Sequence, residues 1–148
     1  MNDPAPDAVV LIAVLITAVV VLVITIGLMA LVSYFVYKPL TKVPEAHREM
    51  SPPMAFLLMI PVFGIFWAFM IALKVPASLK SYFDSAGNAA VGDCGKNIGL
   101  AWAICSAASL IPFLGAFTGL AALVLLIIFL VKINSLAGQI QQNAVVSR

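Results

Sequence analysis

The sequence predicts an all-α integral membrane protein with four transmembrane helices, at about residues 8–37, 54–74, 97–111 and 114–133. Two observations lead to this prediction. Of the 148 residues, 64% are hydrophobic and only 9% are charged, whereas a soluble domain has about 25% charged residues. The apolar residues also form long runs without charge, which is typical of segments that cross the roughly 30 Å of bilayer hydrocarbon. We therefore expect a single membrane domain over residues 1–148 and no separate soluble domain.

The first helix is predicted from residues 8–37, which contain no charged side chain. At 1.5 Å per residue this segment would be about 45 Å long, so it can span a bilayer with tilt. Its end is marked by Tyr34, Tyr37 and Lys38, because aromatic rings and Lys side chains settle at headgroup depth.

The second helix is predicted at 54–74 because Met54 to Leu73 is an uninterrupted apolar run. Pro61 and Gly64 lie inside this run and are expected to kink the helix. An alternative is a re-entrant half-helix that ends at Ile60. Beyond Lys74 we expect the chain to continue along the membrane interface.

The third and fourth helices share the stretch from Ile98 to Val131, which contains no charged residue. As one straight helix it would be about 51 Å long, well over the thickness of bilayer hydrocarbon. We therefore place a break at Pro112–Gly115, where Pro lacks an N–H and Gly permits a sharp turn. Two helices folded back on each other follow from this break.

Small residues recur at every fourth position of these two helices, which places them on one helix face. Small faces let membrane helices approach closely, and close packing drives their association. A simple abundance of Gly and Ala in membrane helices is the alternative explanation. We predict that the helix-packing residues are Gly95, Gly99, Ala103, Ala107, Gly115 and Gly119.

An internal match connects the second helix with the last. The pattern I-P-x-x-G-x-F occurs at Ile60–Phe66 and again at Ile111–Phe117, an offset of 51 residues. The apolar runs that follow differ in length, so the match is either a repeat that has drifted or chance in a biased composition. If it is a repeat, the protein contains two parallel helix hairpins, and parallel repeats occur in transporters.

The side chains that carry most enzyme chemistry are sparse. All acidic residues lie in the predicted loops or the N-terminal tail, and the single histidine, His47, is expected on a solvated surface turn. Neither a catalytic set, a metal site nor a cofactor site is predicted. Cys94 and Cys105 are too far apart on one helix to bond to each other. Cys94 near Lys96 could have a lowered thiol pKa, although an incidental small residue is the simpler interpretation.

The sequence therefore favours a small polytopic scaffold or accessory subunit of a membrane complex, and not an enzyme. Its expected partners are the lipid bilayer and either other membrane proteins or a second copy. A net charge of +2 without aromatic-basic interleaving argues against nucleic acid. The alternative function is a small-solute transporter or channel-like oligomer built from the two hairpins.

The orientation is predicted from Lys and Arg, which favour the cytoplasmic side. The general pattern is similar to that of small bacterial membrane proteins, so we expect the bacterial inner membrane. With four crossings, one side would hold Lys74, Lys80, Lys96, Lys132 and Arg148, and the other Lys38, Lys42 and Arg48. This count predicts that both termini are cytoplasmic. The first helix argues for the opposite orientation, because no Lys or Arg precedes it and three follow it closely.

Overall fold

A computed structural model describes residues 6–60, 62–111 and 113–146. These residues form helices and turns and no strand. The four α-helices are α1 (Pro6–Lys42), α2 (Phe63–Ser85), α3 (Lys96–Ala108) and α4 (Gly115–Val146), and the 3₁₀ segments are Glu45–His47, Pro52–Met59 and Ala89–Val91. By length and composition α1, α2 and α4 can each cross a membrane, whereas α3 has 13 residues. The all-helical class is thus confirmed, with three helices apolar enough to span a membrane, and the count of four crossings is not confirmed.

Helix α1 divides into an unpacked part and a packed part. Every residue from 9 to 29 is exposed, and the side chains are apolar around the whole helix. Near its C-terminal end Val36 and Leu40 are fully buried in the core. The helix therefore enters the packed body only in its last turns, and its longer apolar part lies free of the rest of the chain.

The predicted continuous helix at 54–74 is replaced by two arms that fold against each other. The first arm is Pro52–Met59, and the second is α2. The indole Nε1 of Trp67 donates to the carbonyl oxygen of Met54 at 2.7 Å, whereas these residues would be about 20 Å apart in one helix. The chain therefore reverses between the arms, and we call this unit, residues 52–85, the first hairpin. Pro61, where a kink was expected, lies outside the described residues.

Helices α3 and α4 form the second hairpin, residues 96–146. The break expected at Pro112–Gly115 is found between the end of α3 and Gly115, although Pro112 itself is outside the described residues. Trp102 of α3 stacks on Phe129 of α4 with ring centroids 5.9 Å apart. Helix α4 continues beyond the predicted membrane span, which ends at 133, and Ile133 and Ile140 extend its buried face beyond the charged Lys132.

The first loop, residues 43–51, and the second loop, residues 86–95, lie at the same end of the molecule. His47 of the first loop contacts the Ser81 hydroxyl in the last turns of α2, with its Nδ1 3.1 Å from the oxygen. The second loop follows α2 directly, and its Asp93 pairs with Lys132 of α4 at 3.2 Å. Four alternating crossings would put these two loops at opposite ends. The prediction that both termini share one side, which depended on that alternation, is therefore not supported.

Candidate functional site

Among the six predicted packing residues, Gly99 is the one that lies in close contact with two neighbouring helices. A Cβ atom placed there would be 2.8 Å from Cε2 of Phe129 and 3.2 Å from the Cα of Ala72. Helix α3 thus lies between α2 and α4 at this point, and only a hydrogen fits between the α3 backbone, the α2 backbone at Ala72 and the ring of Phe129. Ala103, one turn further along, is fully buried.

The neighbouring small residues in α3 are placed differently. Gly95 is buried just before the helix with φ of 91°, a left-handed conformation that favours glycine. The aliphatic Cδ of Lys132 would lie 3.4 Å from a Cβ at this position. Ala107, near the C-terminal end of α3, is only half-buried.

The two glycines of α4 do not share the α3–α4 contact expected for them. A Cβ at Gly115 would lie 2.6 Å from the backbone oxygen of Ser109, so this glycine allows the hairpin to close. A Cβ at Gly119 would meet no atom within 4 Å. Residue spacing places these positions on one helix face but does not show which of them have a close neighbour.

Asp93 organises the start of α3, a role that sequence reasoning missed. Its Oδ1 accepts from the backbone N–H of Gly95 at 3.0 Å, and its Oδ2 accepts from that of Asn97 at 3.0 Å. These two N–H groups, with the ammonium of Lys132, hold the pKa of Asp93 at about 2. The available signal was an Asp shortly before a helix start, the position where side-chain oxygens satisfy unpaired N–H groups.

Cys94 does not have the properties of a reactive thiol. It is fully buried, and burial together with the nearby carboxylate of Asp93 raises its pKa. The lowered pKa considered for a thiol near Lys96 is therefore not found. Thiolate chemistry requires the opposite shift and solvent access.

His47 is half-buried against α2, whereas a solvated turn was expected. Its Nδ1 is 3.1 Å from the hydroxyl oxygen of Ser81, and its Nε2 is 3.3 Å from that of Ser85. The rings of His47 and Tyr82 form a T-shaped pair with their centroids 6.1 Å apart. These contacts hold the first loop against α2. An ion pair between Lys74 and Glu49, at 2.9 Å, also joins the loop to this helix.

Asn134 of α4 supplies a contact that the sequence did not reveal. Because Pro39 has no N–H, it cannot bond to the carbonyl of Phe35 one turn earlier in α1. The Asn134 amide nitrogen donates to this carbonyl at 3.0 Å and to the carbonyl of Leu130 at 2.8 Å. Asn134 thus satisfies a backbone group that Pro39 leaves free and joins α1 to α4.

Two cavities lie away from the contact at Gly99. A cavity of about 280 Å³ between α2 and the second loop is lined by residues that include Lys80, Asp84 and Cys94, and a shallow apolar groove of about 390 Å³ runs along α4. Across the described segments, no three His, Cys, Asp or Glu side chains converge to hold a metal ion. No family model, no curated protein and no solved structure matches the chain.

Proposed function

We propose that the protein is a small scaffold or accessory subunit in a bacterial inner membrane, and that α1 is the element that binds its partner. The partner is another membrane protein or a second copy of the chain. The observation that carries this proposal is the complete exposure of residues 9–29 beside a body that packs its other helices closely. In this role the protein needs no catalytic centre.

The length and character of α1 support lateral binding. A simple anchor needs about 20 apolar residues, whereas α1 as a candidate span has 36. Its polar groups are already satisfied, since the hydroxyls of Thr17 and Thr25 donate to backbone carbonyls one turn earlier at 2.8 Å. A partner would therefore bind α1 through van der Waals packing, the main source of association between apolar helices in lipid.

The contact between the two hairpins favours a scaffold over a transporter. Ile71 and Ala72 of α2, Ala103 of α3 and Phe129 of α4 are all fully buried. A solute pathway between repeats needs polar groups or a water-filled space at membrane depth. The apolar filling at this contact supports rigid packing instead.

Site-specific photo-crosslinking in native membranes tests the proposal. A photoreactive residue would replace Val10, Val14 or Val21 in α1, with Ile128 on the exposed face of α4 as the matched control. We expect a stoichiometric adduct of one defined mass from α1 and none from Ile128. Absence of any protein adduct along α1, together with a monomeric mass in lipid nanodiscs, would refute a role in association.

A further inference from the structure

The two copies of the I-P-x-x-G-x-F pattern form chain reversals of the same geometry. Val62 and Phe113, which occupy the same place in the pattern, both have positive φ, 64° and 72°. The N–H of Gly64 donates to the carbonyl of Ile60 at 2.7 Å, and that of Gly115 donates to the carbonyl of Ile111 at 3.0 Å. The sequence match thus corresponds to one local structure used twice.

The glycine that both copies of the pattern share has a steric reason. A Cβ at Gly64 would lie 2.5 Å from the carbonyl oxygen of Leu58, and a Cβ at Gly115 would lie 2.6 Å from that of Ser109. In both cases the oxygen belongs to the residue six positions earlier. Each hairpin therefore reverses at a glycine in the same way. We call these two reversals, at Ile60–Phe66 and Ile111–Phe117, the tips.

Both tips present apolar side chains to their surroundings. Val62 and Phe66 are 73% and 71% exposed, and Phe113 and Phe117 are 98% and 79% exposed. The ion pairs Lys74–Glu49 and Lys132–Asp93 lie away from the tips, where the shorter arm of each hairpin begins. Each hairpin thus has one charged end and one apolar end.

Two backbone N–H groups in each tip are hydrogen-bonded within the chain, that of the glycine described above and that of the isoleucine that begins the pattern. The N–H of Ile60 donates to the Leu57 carbonyl at 3.2 Å, and that of Ile111 donates to the Ala108 carbonyl at 3.0 Å. The next residue in each copy is Pro, which has no N–H to satisfy. These features reduce the number of unpaired N–H groups at the tips, each of which would cost several kcal/mol in hydrocarbon.

We propose that both tips are embedded among lipid acyl chains, so that each hairpin enters and leaves the membrane at the same face and α1 alone joins the two faces. The dimensions agree with this arrangement. Helix α3 is about 20 Å long, less than the roughly 30 Å of hydrocarbon. The partner of the tip surface is thus the lipid itself, and this proposal does not depend on what binds α1.

The direction of α1 is consistent with this arrangement. Tyr37 packs on Phe56 of the first hairpin with ring centroids 5.8 Å apart. The loop between them is short, so α1 and the Pro52–Met59 arm run antiparallel. Residues 9–29 therefore extend in the direction of the tips and past the first of them.

The single-crossing arrangement also removes the conflict in the charge pattern. All Lys and Arg among the described residues follow the apolar part of α1, so in this arrangement they lie on one side of the membrane. Both the total count and the charges that flank the first helix then assign this side to the cytoplasm. Asp7, at the opposite end of α1, lies outside.

Cysteine labelling of single-cysteine variants tests the arrangement. In a Cys94→Ala/Cys105→Ala background, the probes are Glu45→Cys in the first loop, Asn88→Cys in the second loop and Asp7→Cys, all at exposed positions. A membrane-impermeant thiol reagent applied to intact cells should label Asp7→Cys and leave the two loop probes unlabelled until the cells are permeabilised. Labelling of Glu45→Cys and Asn88→Cys from opposite sides would overturn the proposal.

Depth measurement tests the tips independently. Phe113→Trp and, as the matched control, Lys80→Trp would be made in a Trp67→Phe/Trp102→Phe background and reconstituted in vesicles with brominated acyl chains. We expect the bromine atoms to quench the fluorescence of Phe113→Trp several-fold more than that of Lys80→Trp. Equal quenching would place the tip outside the hydrocarbon. As a check that does not use the tryptophan background, Phe113→Cys should resist the impermeant reagent from both sides, and its labelling from either side would also contradict embedding.

Discussion

Substitution of Gly99 by Ala tests the central helix contact most directly. The added Cβ would be 2.8 Å from the ring of Phe129 and 3.2 Å from the backbone of Ala72. The Phe129 ring has little room to move, because it is fully buried and stacked on Trp102. Overpacking of this kind costs about 1–3 kcal/mol, so one methyl group should measurably separate α3 from its neighbours.

Gly119→Ala in α4 is the matched control. Both substitutions replace a helical glycine with alanine and therefore gain the same helix propensity, up to about 1 kcal/mol. Because a Cβ at Gly119 meets nothing within 4 Å, this variant should be as stable as the parent or more stable. The stability difference between the two variants should thus be about 1–3 kcal/mol, and Gly99→Leu should be less stable than Gly99→Ala.

The assay is a titration of the protein in mild-detergent micelles with SDS. Far-UV circular dichroism monitors the unfolding. The midpoint for Gly99→Ala should fall below that of the parent, while the midpoint for Gly119→Ala should not. If the two variants unfold together, the close approach at Gly99 contributes nothing to stability and the reasoning from the small residues fails.

Three further predictions follow from polar groups. Asp93→Asn should lower stability at neutral pH by about 1 kcal/mol, a value reduced for the solvent exposure of the side chain. Because the folded-state pKa of Asp93 is lowered from 3.8 to about 2, its stabilisation is complete above about pH 5 and should be lost progressively as the pH falls through about 2 in a pH series of unfolding curves. Asn134→Ala should lower the free energy of unfolding by about 1–3 kcal/mol, because it leaves the Phe35 carbonyl unpaired. The loss should be smaller in a Pro39→Ala background, where the restored N–H can bond to that carbonyl. An equal loss in both backgrounds would contradict this role. Ser33→Ala should be neutral or stabilising by up to about 1 kcal/mol in thermal unfolding, because the Ser33 hydroxyl is buried with no hydrogen-bond partner among the described residues, and a clear loss of stability would show that it has a partner.

Composition and apolar run length were sufficient to predict a helical membrane protein. These properties depend on the cost of charge and unpaired backbone in hydrocarbon, which is the same wherever the segment lies in the fold. Local chemistry likewise predicted interruptions of the apolar runs near Gly64 and before Gly115, and the structure shows both. Proline and glycine constrain the backbone at their own positions, so these features need no knowledge of distant residues.

Tertiary contacts decided the direction in which the chain continues after each break. The sequence marks an interruption near Gly64, but the contact of Trp67 with Met54 turns it from a kink into a reversal. That reversal brings both loops to the same end, which changes the topology of the whole chain. Gly99 and Gly119 likewise look alike in the sequence, and only the presence of Phe129 and Ala72 beside the first distinguishes them. Such differences arise because packing depends on which residues meet across the fold, whereas residue spacing specifies only the helix face on which a side chain lies.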